Sequence, residues 1–215
     1  MSELARERAE VVEFARRMSG EGLVSGTSGN VSRRSGGRIA ITPRNRSYET
    51  LSPDDVALVD FEGRPVGGRW PASTETPMHL AVYRAFAAGA VVHTHSPFAT
   101  VIGTVAQELP AIHYEIVVLG GPVRVAPYHV FGSDELARAV AEAGAGRSGV
   151  ILGNHGAITW GADLAEAYHR SVKLEWLAAL YWRARQVGTP RILTAAELAE
   201  VEQQIERFDY GPVAP

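Results

Sequence analysis

The chain has 215 residues, of which 46% are hydrophobic and 21% are charged, and its formal net charge is −3. This composition is typical of a single globular domain over residues 1–215 and argues against intrinsic disorder, which combines low hydrophobicity with high net charge. The slightly acidic balance also argues against a general nucleic-acid binder, because neutralising phosphates requires an excess of basic residues.

Residue types that are missing narrow the chemistry further. The chain has no cysteine, which excludes disulfides, thiolate nucleophiles and cysteine-ligated zinc. It contains no apolar run of about 18 residues, and its charged N-terminal stretch lacks the apolar core of a signal peptide, so we expect a cytoplasmic protein without a membrane partner. Lys173 is the only lysine and lies in a predicted helix, where we expect a solvent-facing side chain rather than a Schiff-base nucleophile.

Helix and strand patterns alternate along the chain, and turns rich in glycine and serine separate them. Amphipathic spacing and N-terminal caps predict helices over residues 4–18, from 77 to about 88, from 97 onward, from 133 to about 144, and over 162–186 and 195–208, with a turn or helix start at 52–55. Short apolar runs predict strands over residues 30–32, 38–42, 56–60, 90–95, 115–119, 123–125, 149–152 and 157–160. Strands in the middle of the chain with helices on both sides predict a three-layer α/β/α sandwich.

His93 and His95 give the first indication of a metal site. Residues i and i+2 of a strand face the same side, so the imidazoles of this H-x-H motif project together from the end of the apolar run at 90–92. In this way one strand can present two metal ligands. The alternative interpretation is a pair of partly exposed histidines at a strand end.

His155 is the candidate for a third ligand. It lies in a turn bracketed by glycines between two predicted strands, where a side chain can point into a cleft. Zinc sites with three histidines keep one position open for substrate. The alternative is that a histidine occurs here because it tolerates the unusual backbone angles of a turn, and binds no metal. Four other histidines are candidates for the same ligand position on composition alone: His113, His129, His79 and His169. His79 and His169 rank lower because they lie in predicted helices.

Two polar segments have the composition of an anion-binding site. Ser73 and Thr74 directly precede Glu75 at a predicted helix N-terminus, where hydroxyls and free amides suit a phosphate and the carboxylate suits a general base beside a metal. The alternative is an ordinary helix cap with an acidic first turn. The turn at 25–30 can form a nest of amide groups for an anion, although it lacks the lysine and spacing of a P-loop.

Taken together and in this order, these segments resemble the class II aldolase/adducin family, and the resemblance extends over nearly the whole chain. The segments that carry the resemblance are GTSGNVS at 26–32, ITP at 41–43, STE at 73–75, VVHTH at 91–95, PAIHYE at 110–115, APY with FG at 126–132, and NHG at 154–156. The H-x-H, the distant H-G and the glutamate that precedes them make the pattern specific. The resemblance implies that the central sheet of the sandwich is mainly antiparallel.

The resemblance also assigns roles to individual residues. It implies that His93, His95 and His155 hold one zinc ion per subunit, with Mn²⁺ and Co²⁺ as alternatives that imidazole accepts. Glu75 would be the catalytic carboxylate and would also ligate the metal when no substrate is bound. Tyr114 would reach the site of a neighbouring subunit and exchange a proton with the aldehyde oxygen, which implies an oligomer, in this family usually a homotetramer with an intersubunit active site.

The phosphate of a substrate would be bound by three turns of the chain. The family commonly has a small residue and glycine after ITP, where this chain has Arg44 and Asn45. Asparagine tolerates the left-handed backbone better than most residues, so we expect the turn to be kept. Arg44 could either add a charged contact to phosphate or change which substrate fits. The implied phosphate-binding residues are Thr27, Gly29, Asn30, Arg44, Asn45, Ser73 and Thr74.

The implied activity is that of a zinc-dependent aldolase. It would reversibly cleave a ketose 1-phosphate, L-fuculose 1-phosphate or a similar sugar, to dihydroxyacetone phosphate and an aldehyde such as lactaldehyde, through a metal-stabilised enediolate. Alternatives within the family are a ribulose-5-phosphate 4-epimerase, a methylthioribulose-1-phosphate dehydratase, a tetronate-phosphate decarboxylase and a non-catalytic adducin-like binding domain; a zinc hydrolase is a further alternative. A mobile C-terminal segment containing Tyr210 would close over the site.

Overall fold

The computed structural model describes residues 4–208, which form one sheet with helices on both faces. The strands are β1 (Asn30–Ser35), β2 (Arg38–Ile41), β3 (Ala57–Asp60), β4 (Pro65–Gly67), β5 (Ala90–Thr94), β6 (Glu108–Leu109), β7 (Val123–Ala126), β8 (Gly149–Leu152) and β9 (Gly156–Gly161). The α-helices are α1 (Ala5–Gly20), α2 (Thr76–Ala85), α3 (Pro97–Val105), α4 (Asp134–Ala143), α5 (Leu164–Val187) and α6 (Ala195–Arg207). Short 3-10 helices span Pro53–Asp55 and Tyr114–Leu119. No helix within residues 4–208 is both long and apolar enough to cross a membrane.

The nine strands of the described range lie in the order β4-β3-β2-β1-β5-β9-β8-β7-β6. Neighbouring strands in this range pair in the antiparallel sense, except β7 with β8, which are parallel. The expectation of a mainly antiparallel sheet is therefore confirmed. β4 and β6 lie at the two edges, and the sequence did not predict them because they are too short to show a periodic pattern.

The central strand β5 shows how the two faces of the sheet are formed. Val91 packs in a cluster with α2 and α4, whereas Ala90 and Val92 pack with α1 and α5 on the opposite face. Successive side chains of a strand point to opposite faces, so an uninterrupted apolar run is buried on both sides. α3 packs beside α5 in a third cluster. The predicted three-layer α/β/α sandwich is confirmed.

Residues 115–119, which we predicted to be a strand, instead belong to the 3-10 helix Tyr114–Leu119. Ile116 and Leu119 are fully buried, and their spacing of three residues places both on one side of a 3-10 turn. The side chain of His113 accepts a hydrogen bond from a backbone amide at the start of this helix. A short apolar run is compatible with either structure, and here burial at i and i+3 selects the helix.

The only lysine does not have the solvent-facing side chain that its helical position predicted. Lys173 lies on α5 with 19% of its side chain exposed, and its Nζ donates to Oε2 of Glu115 over 2.8 Å. It also lies over the ring of Trp176. The lysine therefore ties α5 to the 3-10 helix that carries Tyr114.

Candidate active site

Segments that are far apart in the sequence meet at one end of the sheet. Glu75 immediately precedes α2, His93 lies near the end of β5, His95 follows that strand, and His155 lies in the turn between β8 and β9. Asn30, the first residue of β1, is paired with His93 across the β1–β5 ladder. Because β5 lies between β1 and β9, the antiparallel strand order brings Asn30 and the three histidines to one place, and Glu75 joins them through its hydrogen bond with Asn30.

The three histidines form a compact cluster. The ring centroids of His93, His95 and His155 are 4.9 Å apart in each pair, and the rings are steeply inclined to one another. One ligand atom from each histidine and one from Glu75 all lie within 4.8 Å of one another. The alternative of two partly exposed histidines at a strand end is wrong for His93, which is fully buried.

Hydrogen bonding orients the innermost ring of the cluster. Nδ1 of His93 lies 2.9 Å from the carbonyl oxygen of Ala157, which can only accept, so Nδ1 carries a proton and Nε2 is the ring nitrogen that faces the cluster. Nε2 of His93 lies 3.1 Å from Nε2 of His95. Burial, reinforced by the neighbouring His93 and His155, lowers the pKa of His95 to about 3, so that this ring is neutral at physiological pH. The cluster therefore presents ring nitrogens as donors to a shared cation.

Glu75 completes the cluster, and its two carboxylate oxygens differ in their hydrogen bonding. Oε2 accepts a hydrogen bond from Nδ2 of Asn30 over 2.8 Å and lies 3.2 Å from Nε2 of His93. Oε1 lies 3.2 Å from Nε2 of His155, yet it is buried and makes no hydrogen bond within the described residues. Burial alone would raise the pKa of Glu75, but the adjacent His93 and His155 outweigh it and hold this pKa below its usual value, so the carboxylate is ionised.

The donor set fits a divalent cation. Ligand atoms 2.0–2.2 Å from a tetrahedral zinc ion lie about 3.3–3.6 Å from one another. The separations of 3.1 and 3.2 Å within the cluster are close to this spacing. A cation would also satisfy the buried Oε1 of Glu75, which makes no hydrogen bond within residues 4–208.

A cleft of about 320 Å³ opens beside the cluster. Its walls include Glu75, His95 and His155, and the polar turns that precede β1, follow β2 and precede α2. A volume of this size suits a small phosphorylated molecule. All the residues expected to bind phosphate line it: Thr27, Gly29, Asn30, Arg44, Asn45, Ser73 and Thr74.

Gly29 brings the turn before β1 against the metal-binding cluster. Its φ is +72°, and a Cβ atom there would lie 2.7 Å from the carbonyl oxygen of His93 and 2.6 Å from a side-chain carbon of Val24. The hydroxyl of Tyr48 donates to the carbonyl of Gly29 over 2.6 Å and holds the turn from the other side. No residue with a side chain fits here without displacing the backbone that carries His93.

We expect Gly29→Ala to lower the free energy of unfolding by more than Gly26→Ala does. Both glycines have positive φ, but an added Cβ at Gly26 would meet nothing within 4 Å. The loss of stability in Gly26→Ala therefore measures the backbone strain alone, about 1–2 kcal/mol. Gly29→Ala has this strain and, in addition, the close contacts with His93 and Val24. Denaturant unfolding of both variants tests the difference, and equal losses would show that the approach to His93 does not matter.

The other turns of the cleft also expose groups that can bind an anion. Oγ of Ser73 accepts a hydrogen bond from the amide of Glu75 over 3.2 Å, which leaves its own proton free to donate into the cleft. Asn45 has φ of +55°, in the left-handed region that its tolerance predicted, so the turn is kept despite the loss of glycine. Arg44 is an exposed residue of the wall and adds a cation to it.

Two expected contributors do not lie in this cleft. Tyr114 is 52% exposed, and its ring lies beside that of His113 rather than against the cleft wall. Within one subunit it is therefore not part of the site. Tyr210 lies outside the described residues.

Sequence reasoning missed part of the site. Tyr128, His129 and Phe131, in the loop after β7, also line the cleft, and the sequence pattern predicted no role for them. Tyr128 and Phe131 are exposed. Two aromatic residues in one short loop are the feature of the sequence that could have indicated a binding surface. His79, ranked low because it lies in a helix, is fully buried and hydrogen-bonded to Asn30. His169 is exposed on α5.

Known proteins of similar sequence cover almost the whole chain. It is 36% identical over 208 residues to a 5-deoxy-D-ribulose 1-phosphate aldolase of Bacillus thuringiensis serovar kurstaki, covering 95% of this chain and 98% of that one. It is 37% identical over 202 residues to a 5-methylthioribulose-1-phosphate/5-deoxyribulose-1-phosphate aldolase of Rhodospirillum rubrum, covering 94% and 91%.

Solved structures of aldolases are also similar to this chain. A solved structure of an L-fuculose 1-phosphate aldolase superposes with a TM-score of 0.91 at 31% sequence identity, covering 96% of this chain and 98% of that one. The sequence profile described as Class II Aldolase and Adducin N-terminal domain matches residues 9–182. Class II aldolases use a divalent metal, and the cluster at Glu75 could hold one. The chain therefore belongs to the class II aldolase/adducin family, among its aldolases, as the motifs predicted.

Proposed function

We propose that this protein is a zinc-dependent aldolase that cleaves a deoxyketose 1-phosphate to dihydroxyacetone phosphate and a short aldehyde. The observation that carries the proposal is the opening of the Glu75 and histidine cluster into a cleft lined by hydroxyls, amides and Arg44. The similar proteins are named for 5-deoxyribulose, 5-methylthioribulose and L-fuculose 1-phosphates, which share a ketose 1-phosphate and differ in the aldehyde part.

The polar turns of the cleft would bind the phosphate. The backbone amides of Gly29 and Asn30, the hydroxyls of Ser73 and Thr74, and the guanidinium of Arg44 would donate hydrogen bonds to it, and Arg44 would also neutralise part of its charge. This anchors the sugar with its reacting carbons toward the histidine cluster.

His93, His95 and His155, with Glu75 when no substrate is bound, would hold the zinc ion. A bound Zn²⁺ would supply Lewis acidity that polarises the substrate carbonyl and makes the neighbouring C–H group more acidic. In the condensation direction, Oε1 of Glu75 takes a proton from the hydroxymethyl carbon of dihydroxyacetone phosphate. The electron pair left on that carbon forms a bond to the aldehyde carbonyl carbon.

Tyr114 of a neighbouring subunit would give its phenolic proton to the aldehyde oxygen. In cleavage it would take that proton back, and the carbon–carbon bond would break with its electron pair on the carbon that Glu75 then protonates. Exchange with water returns the proton from Glu75 to Tyr114 between turnovers. In one chain Tyr114 lies outside the cleft with its side chain exposed, which is compatible with a role across a subunit contact in a homotetramer.

A substrate panel tests the proposed function. Zinc-loaded protein is incubated with 5-deoxyribulose, 5-methylthioribulose and L-fuculose 1-phosphates, and released dihydroxyacetone phosphate is measured with and without a chelator. We expect chelator-sensitive release from at least one of them. A 4-epimer, a dehydrated sugar or carbon dioxide as the product, in assays with the matching substrates, would assign the site to an epimerase, a dehydratase or a decarboxylase. A chain that holds no metal and turns over no substrate would favour an adducin-like binding role.

Mixed oligomers test the role of Tyr114. Tyr114→Phe and Glu75→Gln are each expected to be nearly inactive alone, with losses of about 10²–10⁴-fold. Reassembled from equal amounts of the two variants, the oligomer should recover about a quarter of the parent activity, because half of the sites have Glu75 and half of those meet an intact Tyr114. No recovery from a verified mixed oligomer would contradict a shared site.

A further inference from the structure

A chain of buried hydrogen bonds runs from the core to the carboxylate of the site. The hydroxyl of Tyr83 lies 2.7 Å from Oγ of Ser32, which lies 2.7 Å from Nδ1 of His79. Nε2 of His79 lies 2.5 Å from Oδ1 of Asn30, whose Nδ2 donates to Oε2 of Glu75 over 2.8 Å. Each of these side chains is buried, and Ser32 and His79 are completely so.

The charge on the carboxylate determines the direction of the whole chain. An ionised Glu75 can only accept, so Asn30 must turn its NH₂ group toward it and its Oδ1 toward His79. His79 must then donate from Nε2 and accept at Nδ1. Ser32 in turn donates to His79 and accepts from Tyr83. Every donor in the series points toward Glu75.

We infer that His79 is a positioning residue, which fixes the Asn30 amide so that Asn30 occupies Oε2 of Glu75 and leaves Oε1 as the basic oxygen. The inference rests on the proposed function, because it concerns the base of that reaction. Oε1 is the carboxylate oxygen that makes no hydrogen bond within the described residues, and it lies 3.2 Å from Nε2 of His155, a residue of the cleft wall. His79 itself does not line the cleft, so it acts only through Asn30.

The placement of His79 supports this role over that of an ordinary core residue. It lies on α2, four residues after Glu75, and its two ring nitrogens bond to Ser32 and Asn30 on β1. Burial lowers the pKa of His79 to about 3, so the ring is neutral and has the one donor and one acceptor that the series requires. An apolar side chain there would leave the Asn30 amide without its orienting partner.

Paired substitutions test the inference in the zinc-loaded protein. His79→Leu removes the donor, whereas His79→Gln can still donate an N–H group toward Asn30. We expect His79→Leu to slow proton exchange on dihydroxyacetone phosphate about 10- to 100-fold, the usual range for a lost outer partner of a metal-site ligand. KM and the zinc content should stay near the parent values, and His79→Gln should be closer to the parent than to His79→Leu. An unchanged exchange rate in a folded His79→Leu would overturn the inference.

Thr159→Val is the matched control for a structural effect. Thr159 is fully buried on β9 and bonds to Ser171 and the carbonyl of Ala167 on α5, away from the cleft. This variant loses buried hydrogen bonds but should keep the parent exchange rate. If Thr159→Val slows exchange as much as His79→Leu does, the effect on His79 is general destabilisation and the inference is wrong.

The tautomer of His79 gives a readout that does not depend on turnover. Protein labelled with ¹⁵N in its histidines is compared with His79→Gln to identify the His79 signals, and two-bond proton–nitrogen correlations then show which ring nitrogen carries the proton. Protonation at Nε2 is expected, and protonation at Nδ1 would overturn the inference even in an active enzyme. Failure of the parent protein to exchange protons would instead contradict the proposed function, while an Nε2 proton would still support the orientation of Asn30 by His79.

Discussion

Glu75→Gln is expected to slow proton exchange on dihydroxyacetone phosphate by about 10²–10⁴-fold or more. The amide has nearly the shape of the carboxylate and can still accept from Asn30, but it cannot take a proton from carbon. Three imidazoles remain at the site, so the zinc content should stay near that of the parent. The expected result is therefore a metal-loaded protein that binds the substrate without activating it.

Proton exchange is measured as deuterium incorporation from heavy water into dihydroxyacetone phosphate, without an aldehyde. This isolates the step assigned to Glu75 from the step assigned to Tyr114. Glu13→Gln is the control, because Glu13 is exposed on α1 and its loss changes the net charge equally. Exchange at the parent rate in zinc-loaded Glu75→Gln would show that another group is the base.

His155→Ala is expected to weaken zinc binding by more than about 100-fold, because losing a ligand should cost more than the 10- to 100-fold loss that follows removal of a ligand's outer partner. His155 is preferred to the fully buried His93, since its side chain is 11% exposed and lies in a turn, so the fold should tolerate the change. Because loss of the metal removes the Lewis acid, aldol cleavage should fall to the level of the chelated parent.

Zinc affinity is measured by competition with a chromophoric chelator, and activity is measured before and after zinc is added back. Added zinc should restore the chelated parent but not His155→Ala at the same concentration. His129→Ala serves as the control for metal content, because His129 lines the same cleft without joining the cluster. Parent-like zinc affinity in His155→Ala would remove His155 from the ligand set.

The sequence by itself determined the features whose physics is local. The period of two over the predicted strand at 90–95 places His93 and His95 on one side, whatever the rest of the fold does. Hydroxyls before Glu75 and a glycine-rich turn before β1 are anion-binding patterns that act within a few residues. The alternation of strands and helices predicts the layers, and the order of the motifs predicts the family.

Only the tertiary structure decided which distant residues meet. The antiparallel order of β1, β5 and β9 places Asn30 opposite His93 and brings the turn with His155 to the same end of the sheet. It also selects His155 for the cluster and brings His79 into a hydrogen bond with Asn30. Strand pairing depends on packing between segments more than 40 residues apart, which local periodicity does not encode.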